Sequence, residues 1–183
     1  MNHWQNIEYL KNGNAVQRHS FRVLNETGIL SILKDFEPIV VGTIPINIDI
    51  EGSDLDIVCN ASDPERFRQL IKKEFGSFDR FRDDINQSRY VAGFFYSGLE
   101  IEIFSPSVPS VMQNGYRHMV IEDRILKLGG EKLRQEIVKL KKEGYKTEPA
   151  FGKLLNLVNP YQDLLGLMDM TDSQLMDIIK KHL

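Results

Sequence analysis

The stretch Ile39–Cys59, IVVGTIPINIDIEGSDLDIVC, carries most of the information about the fold and chemistry of this chain. It begins with three β-branched residues followed by glycine, a pattern typical of a short buried strand. It ends with an alternating segment in which Leu55 and Ile57 share one face while Asp54 and Asp56 share the other. The stretch therefore predicts two strands joined by a loop, with two carboxylates directed to the same side.

The aspartates alone leave two interpretations open. Their Cα atoms would lie about 6.6 Å apart, at about 3.3 Å per residue, so both side chains can reach one divalent cation. A solvated outer face that happens to carry two acids explains the same pattern. A second alternating strand, Leu99–Phe104, adds Glu100 and Glu102 on one face. If the two strands are neighbours, about 4.8 Å apart, one glutamate supplies a third carboxylate, and such hard oxygen ligands suit Mg²⁺ or Mn²⁺.

Gly42 and Thr43 lie at the end of the first predicted strand. A glycine there lets the backbone approach a ligand closely, and backbone N–H groups in such a turn can bind phosphate oxygens. The Thr43 hydroxyl can add a hydrogen bond. A simple turn glycine is the alternative interpretation.

The rest of the chain predicts helices around a sheet. Turn residues at Ser97 and Gly98 predict a hairpin between the last two strands. The sequence thus predicts an α+β (mixed α/β) fold, with an α/β domain over 1–128 and a helical region over 129–183 packed on it as one unit. The lysine run at 139–142 is interpreted as a solvated helix face. The predicted helices cover 14–36 (two helices), 64–75, 115–128, 131–143, 148–158, 161–168 and 171–183, and the predicted strands cover 39–41, 54–59, 78–85, 89–96 and 99–104.

Composition limits the class of protein. The 183 residues include 42% hydrophobic and 27% charged residues with a net charge of −3, which excludes disorder as the main state. No apolar run reaches the roughly 20 residues of a membrane helix. The single cysteine, Cys59, fits a reducing, cytoplasmic setting and excludes an internal disulfide. A sequence pI near 5.8 argues against duplex DNA as the partner.

Three motifs in order carry a resemblance to a known superfamily. They are Gly42-Thr43, then Ser53-Asp54-Leu55-Asp56 after nine intervening residues, and then Glu102 before Ile103-Phe104. This order resembles the nucleotidyltransferase superfamily with the DNA-polymerase-beta-like fold. The wider string 41–58, with 114–119 and 146–151, resembles one uncharacterised bacterial family of about this length within that superfamily.

The resemblance implies metal-dependent transfer of a nucleotidyl group from a nucleoside triphosphate to a hydroxyl or phosphate acceptor. It implies that Asp54 and Asp56 hold Mg²⁺ or Mn²⁺, and that Glu102, rather than Glu100, completes the site and activates the acceptor. It also assigns nucleotide binding to Gly42, Thr43, Ser53, Arg117 and His118. A small molecule, a protein or an RNA end can be the acceptor.

The chain departs from the pattern of that superfamily in two places. Threonine replaces the usual serine after Gly42, which keeps the hydroxyl. Ile46 lies in a loop where many active members carry a basic residue, so the triphosphate charge must be met from elsewhere. The basic residues considered for this role are Arg18, Arg89, Arg117 and Lys146.

These departures leave two alternatives to a transferase. The first is a nucleotide- or metal-binding module that lacks transfer activity and acts by regulation or by binding a partner protein. The second, which the sequence favours least, is a metal-dependent phosphohydrolase that uses the same carboxylates with water as the acceptor.

Overall fold

A computed structural model describes residues 3–182 of the chain. The described residues form two compact units. The first comprises the residues up to Asn47 together with Ser53–Tyr116, and the second comprises Ile48–Gly52 and the residues from Arg117 onward. The sequence placed a boundary after residue 128, close to a kink at Gly130 in the helix Asn114–Lys142, and that division into an α/β domain and a helical region stays a prediction.

The first unit is built on a five-stranded mixed sheet in the order β1-β2-β5-β4-β3. Strands β2 and β5 run parallel, while the other neighbouring pairs run antiparallel. The predicted α+β class is therefore confirmed. The strands are β1 (Ile39–Val41), β2 (Leu55–Val58), β3 (Asp79–Ile85), β4 (Arg89–Tyr96) and β5 (Leu99–Pro106).

Strict alternation along β5 separates the two faces of the sheet. Leu99, Ile101 and Ile103 are buried, whereas Glu100 and Glu102 are only partly buried. Because successive side chains of a strand point to opposite faces, the glutamates share the face away from the hydrophobic core. Alternation in the sequence thus selects which face carries the acidic side chains.

Helices cover the apolar face of the sheet in the first unit. The helix α4 begins at Pro64, and the Asp63 side chain caps it by accepting from the Arg66 N–H at 3.0 Å. Its buried Phe75 stacks on Phe94 of β4 with ring centroids 5.1 Å apart. The α-helices that lie wholly in this unit are α1 (Glu8–Lys11), α2 (Ala15–Thr27), α3 (Ile29–Ile32) and α4 (Pro64–Phe75).

The β4–β5 hairpin forms where the sequence predicts it. Ser97 and Gly98 have φ angles of 52° and 80°, both in the left-handed region. Two consecutive residues with positive φ are typical of the tight turn whose twist matches the flanking strands. This turn fixes the register of β5 against β4, and with it the face on which the acids lie.

Helices make up the second unit. Helix α5 (Asn114–Lys142) starts in the first unit and is broken at Gly130, where φ is 69° and ψ is −163°. The sequence predicts a break at this glycine pair. The unit continues with α6 (Thr147–Leu155), α7 (Pro160–Gly166) and α8 (Asp172–His182). No helix within residues 3–182 combines the length and the apolar character needed to cross a membrane.

Candidate functional site

The two motif acids that the sequence places on different strands lie opposite each other. Asp56 of β2 pairs with Glu102 of β5 in the parallel register. Asp54 precedes β2 by one residue, and its charge acts on Glu102. The fold therefore brings Asp54, Asp56 and Glu102 to one face of the sheet, and Glu100, opposite Phe95 of β4, shares that face.

Gly42 ends the strand next to Asp56, since Val41 of β1 pairs with Asp56. Its φ is +82°, and a Cβ built on it would collide with the Asp56 carboxylate. Only glycine leaves room for this carboxylate against the backbone. The predicted turn thus brings the backbone of Gly42 close to the Asp56 carboxylate. Thr43, the next residue, is half-buried.

Glu102 is the acid of the site whose ionisation is most clearly perturbed. Partial burial raises the pKa of Glu102 above its ordinary value, and the negative charge of Asp54 raises it further. Arg82 and Arg89 act in the opposite direction. An excess of negative charge therefore surrounds Glu102, and a cation at this face would relieve it.

Arg82 of β3 is a cation near the acids that the sequence analysis did not find. Its guanidinium pairs with Glu100, and Nη2 lies 4.0 Å from Glu102 Oε2. It lies across Gly93, because a Cβ there would be 2.5 Å from Arg82 Cζ. Alternation along β3 places Arg82 on the face of the acids, but the sequence alone does not show that β3 lies two strands from β5.

The loop after Gly42 is held by apolar side chains. Ile44 and Ile46 are both buried, with 0% and 2% of their surface exposed. Gln17 of α2 donates from Nε2 to the carbonyls of Ile44 at 2.8 Å and Pro45 at 3.1 Å. A basic residue at position 46 would be buried in this core, so the loop itself cannot supply the missing cation.

The other basic residues considered from the sequence lie in varied places. Arg89 of β4 pairs with Asp84 at 3.5 Å and lowers the pKa of Glu102 slightly against the effects of burial and Asp54. Arg18 of α2 donates to the Gly13 carbonyl. Lys146 is exposed immediately before α6. Of these residues, Arg89 is thus the one that acts electrostatically on Glu102.

Arg117 and His118 begin the part of α5 that belongs to the second unit. His118 is buried, and its two ring nitrogens lie 3.3 Å from Glu148 Oε1 and 2.8 Å from the Tyr161 carbonyl. Burial favours the neutral imidazole, but these hydrogen bonds prevail and raise the pKa of His118. The imidazole is thus held inside the second unit. From the sequence, Glu148 is predicted only as the first residue of a helix, not as a partner of His118.

Two further buried ionisable residues lie near this pair in the second unit. Glu122 is 3% exposed, and its buried Oε1 has no hydrogen-bond partner among the described residues. Burial and the charge of Glu148 raise the pKa of Glu122 to about 8. Lys141 is 6% exposed and donates from Nζ to the Ile48 carbonyl at 2.8 Å. The interpretation of Lys141 as part of a solvated face is therefore wrong, because its ammonium group caps a buried carbonyl.

The acids of the first unit are of the chemical type that hard divalent cations prefer. Asp54, Asp56 and Glu102 offer only carboxylate oxygens, and the close approach at Gly42 leaves the Asp56 carboxylate bordered by backbone. Within residues 3–182, no group of three or more His, Cys, Asp or Glu side chains is placed so that it could by itself hold a metal ion. Proteins commonly hold Mg²⁺ with one or two carboxylates, substrate phosphates and water rather than with a complete protein cage.

A protein-family model matches residues 22–167, which is most of the chain. The family is described as Domain of unknown function (DUF4269). The chain belongs to this family. No curated protein has a sequence significantly similar to it.

Solved structures of nucleotidyltransferases share the fold of this DUF4269 chain. The Cid1 RNA terminal uridylyl transferase matches with a TM-score of 0.56 and 13% identity, over 75% of this chain and 47% of Cid1. The chain thus spans about half the length of Cid1. A cytoplasmic RNA terminal U-transferase matches with 0.52 and 13%, over 79% of this chain and 42% of that chain. GLD-2 in the GLD-2/RNP-8 complex matches with 0.54 and 11%, over 95% and 77%. At these identities the likeness establishes a nucleotidyltransferase-like fold.

Proposed function

We propose that this DUF4269 protein transfers a nucleotidyl group from a nucleoside triphosphate to a hydroxyl or phosphate acceptor. The observation that carries the proposal is the pairing of Asp56 with Glu102 on parallel strands, beside a glycine whose missing side chain makes room for the Asp56 carboxylate. Three acids on one face of a sheet have little value for stability, because like charges at short range repel. A ligand that neutralises them explains the arrangement.

Asp54, Asp56 and Glu102 would hold Mg²⁺ or Mn²⁺ at this face. Such a cation neutralises phosphate charge and stabilises the attacking and leaving oxygens of an in-line displacement. The turn at Gly42 and Thr43 binds triphosphate oxygens through backbone N–H groups and a hydroxyl. Ser53 is a further candidate for nucleotide binding in the first unit. Both ring nitrogens of His118 are engaged inside the second unit, so we do not propose it as a nucleotide-binding residue.

In the transfer step, an acceptor oxygen attacks the α-phosphorus and forms a new P–O bond. The bond from that phosphorus to the bridging oxygen of pyrophosphate breaks, and pyrophosphate leaves with the electron pair. When the acceptor is a hydroxyl, its proton passes to the carboxylate of Glu102. The chain therefore supplies positioning, charge neutralisation and one proton acceptor.

The candidate acceptors are a small molecule, a protein and an RNA end. Cid1 is an RNA terminal uridylyl transferase, which supports an RNA end among these acceptors. The net charge of −3 disfavours long nucleic acid, because counterion release from phosphates requires clustered basic residues.

One observation favours a second candidate function, a nucleotide-binding module without transfer. Ile46 is buried where many active nucleotidyltransferases carry a basic residue, so the loop after Gly42 adds no positive charge near a triphosphate. Such a module would bind Mg²⁺ and nucleotide through the same acids but release the nucleotide unchanged.

The deciding experiment follows the α-phosphate. The protein is incubated with each of the four α-³²P-labelled triphosphates, Mg²⁺, and two acceptor sets: an oligoribonucleotide with a free 3′-hydroxyl, and a set of sugars with and without phosphate. Label in an acceptor product with release of pyrophosphate supports transfer. Label in free nucleoside monophosphate instead identifies a hydrolase, and unchanged triphosphate in every reaction contradicts the proposal.

Two acid variants and a control assign the activity to the site. Asp56→Asn and Glu102→Gln remove one charge each from the paired acids, and we expect at least a hundredfold loss of product. Asp79→Asn removes an acid that is 74% exposed at the start of β3, and we expect no change.

A further inference from the structure

Strand order separates the proposed site into two sides. Gly42 follows β1, at one edge of the sheet, whereas Arg82 belongs to β3, at the opposite edge. The acids of β2 and β5 lie between them. If the Gly42 turn holds the triphosphate, the α-phosphate lies near the acids and the attacking group approaches from the side of β4 and β3.

Arg82 projects from that far side back toward the acids. Its guanidinium crosses β4 over Gly93, where any side chain would take its place, since a Cβ would lie 2.5 Å from Cζ and from Nη1. It then pairs with Glu100 and ends 4.0 Å from Glu102 Oε2. The missing side chain at position 93 thus gives the arginine a path to the proposed site.

The Arg82–Glu100 pair is partly exposed to solvent. The Arg82 side chain is 52% exposed and that of Glu100 is 30% exposed. Ion pairs with this degree of exposure contribute little to stability, because both groups are well hydrated when they separate. A planar guanidinium can therefore exchange its carboxylate partner for a phosphate, which it binds through two parallel hydrogen bonds.

The surroundings of Arg82 leave room for such a group. A cavity of about 130 Å³ lies beside it, lined by Arg82, Asp84, Val91 and Gly93 among others. Asp84 is paired with Arg89. An anion entering here thus meets Arg82, whose present partner is the partly exposed carboxylate of Glu100, while the charge of Asp84 is matched by Arg89.

We propose that Arg82 binds a phosphate group of the acceptor, so that the acceptor of this enzyme is a phosphorylated molecule. This inference rests on the proposed nucleotidyl transfer, because only a transferase has an acceptor. The phosphate site itself is argued from the positions of Arg82, Gly93 and Glu100. The phosphate can belong to a small metabolite or to the last nucleotide of an RNA. In both cases Arg82 orients the acceptor toward Glu102.

Inorganic phosphate is the first probe, because it tests the site without any nucleotide. Its binding is followed by the Nε–Hε signals of the arginines in ¹⁵N NMR, on the full chain. We expect the Arg82 signal to shift and Arg82→Ala to weaken phosphate binding at least tenfold. Glu100→Gln removes the competing carboxylate, and we expect it to tighten phosphate binding several-fold.

Three variants separate a specific site from a general effect of charge. Arg80→Ala removes the same charge from the same strand, but Arg80 lies over the Phe95 ring, so we expect phosphate binding within twofold of the wild type. Arg82→Lys keeps the charge but lacks the planar guanidinium, so its phosphate binding should lie between those of the wild type and Arg82→Ala. Gly93→Ala should reproduce much of the Arg82→Ala effect, whereas Gly98→Ala, with nothing within 4 Å of the new Cβ, should not.

Equal losses in Arg80→Ala and Arg82→Ala, or no loss in Arg82→Ala, would overturn the inference and leave Arg82 as a structural ion-pair partner. A tenfold loss of Mg²⁺-dependent triphosphate binding in Arg82→Ala would also overturn it, because Arg82 would then serve the donor. If the wild type binds phosphate at Arg82 but no triphosphate, the site stands and the proposed transfer fails. The two sources of phosphate are then distinguished by two comparisons of affinity. One compares ribose 5-phosphate with ribose, and the other compares a triribonucleotide with its nucleosides.

Discussion

The carboxylate of Asp56 lies against the Cα of Gly42, with no space for a side chain between them. Both residues are placed by the antiparallel pair of β1 and β2, in which Val41 is opposite Asp56. The glycine has a positive φ of +82°, so two independent constraints act at one position. The turn and the acid therefore form one structural element.

Gly42→Ala should disable the site more than it destabilises the fold. Positive φ costs an alanine about 1–2 kcal/mol, and the new Cβ must also displace the Asp56 carboxylate. Gly98→Ala is the matched control, because its φ of +80° is nearly the same and its Cβ meets nothing within 4 Å. Urea unfolding should give similar losses for both variants, while Mg²⁺-dependent triphosphate binding should fall at least tenfold in Gly42→Ala alone. Equal binding in the two variants would contradict this role of Gly42.

Lys141 should contribute to stability although it lies in a run of lysines. Lys141→Met keeps the apolar stem but removes the donor to the Ile48 carbonyl, leaving a buried acceptor unpaired. We expect a loss of about 1–3 kcal/mol in the free energy of unfolding. Lys142→Met changes the exposed neighbour and should alter it by less than about 0.5 kcal/mol. Similar values for the two variants would show that the bond to Ile48 is not significant.

Glu122 should make the chain less stable as the pH rises. Its pKa is about 8 in the folded protein against an ordinary value of 4.5, so between these pH values the folded state holds a proton that the unfolded state has lost. Stability then falls with rising pH, by at most about 1.4 kcal/mol per pH unit for one proton. The raised pKa of His118 acts in the same direction, since its stabilisation is complete below 6.5 and is lost as the imidazolium deprotonates.

Glu122→Gln should remove most of this slope and stabilise the protein at pH 8. The free energy of unfolding in urea, measured from pH 5 to pH 9, tests this. Glu131→Gln changes an acid on the same helix that is 70% exposed, and it should keep the wild-type slope. An unchanged slope in Glu122→Gln would mean that Glu122 is ionised throughout this range.

Sequence patterns could predict the strands and the acids of the first unit for physical reasons. Alternation in β2 and β5 identifies the polar face, and Ser97 and Gly98 identify the hairpin that sets the register of β5. These are local signals, carried by neighbouring residues. The fold class and the strand that carries Glu102 follow from them.

What the sequence could not supply depends on contacts between distant residues. Arg82 reaches Glu100 only because β3 lies beside β4 and Gly93 has no side chain. Lys141 resembles its exposed neighbours until its Nζ is found at the carbonyl of Ile48, 93 positions away. A run of lysines, or a strand that contains arginine and aspartate, shows the same local pattern whether its side chains are solvated or bonded to distant residues. Periodicity alone therefore cannot distinguish the two cases.

Calorimetric titration of each nucleoside triphosphate, with and without Mg²⁺, tests the central claim most directly. The account predicts binding of at least one triphosphate that requires Mg²⁺, that is lost when Asp54→Asn and Asp56→Asn are combined, and that persists in Asp79→Asn. Binding without Mg²⁺ that survives the loss of both aspartates would contradict the proposed site. No binding of any triphosphate to the wild type would contradict the proposed function itself.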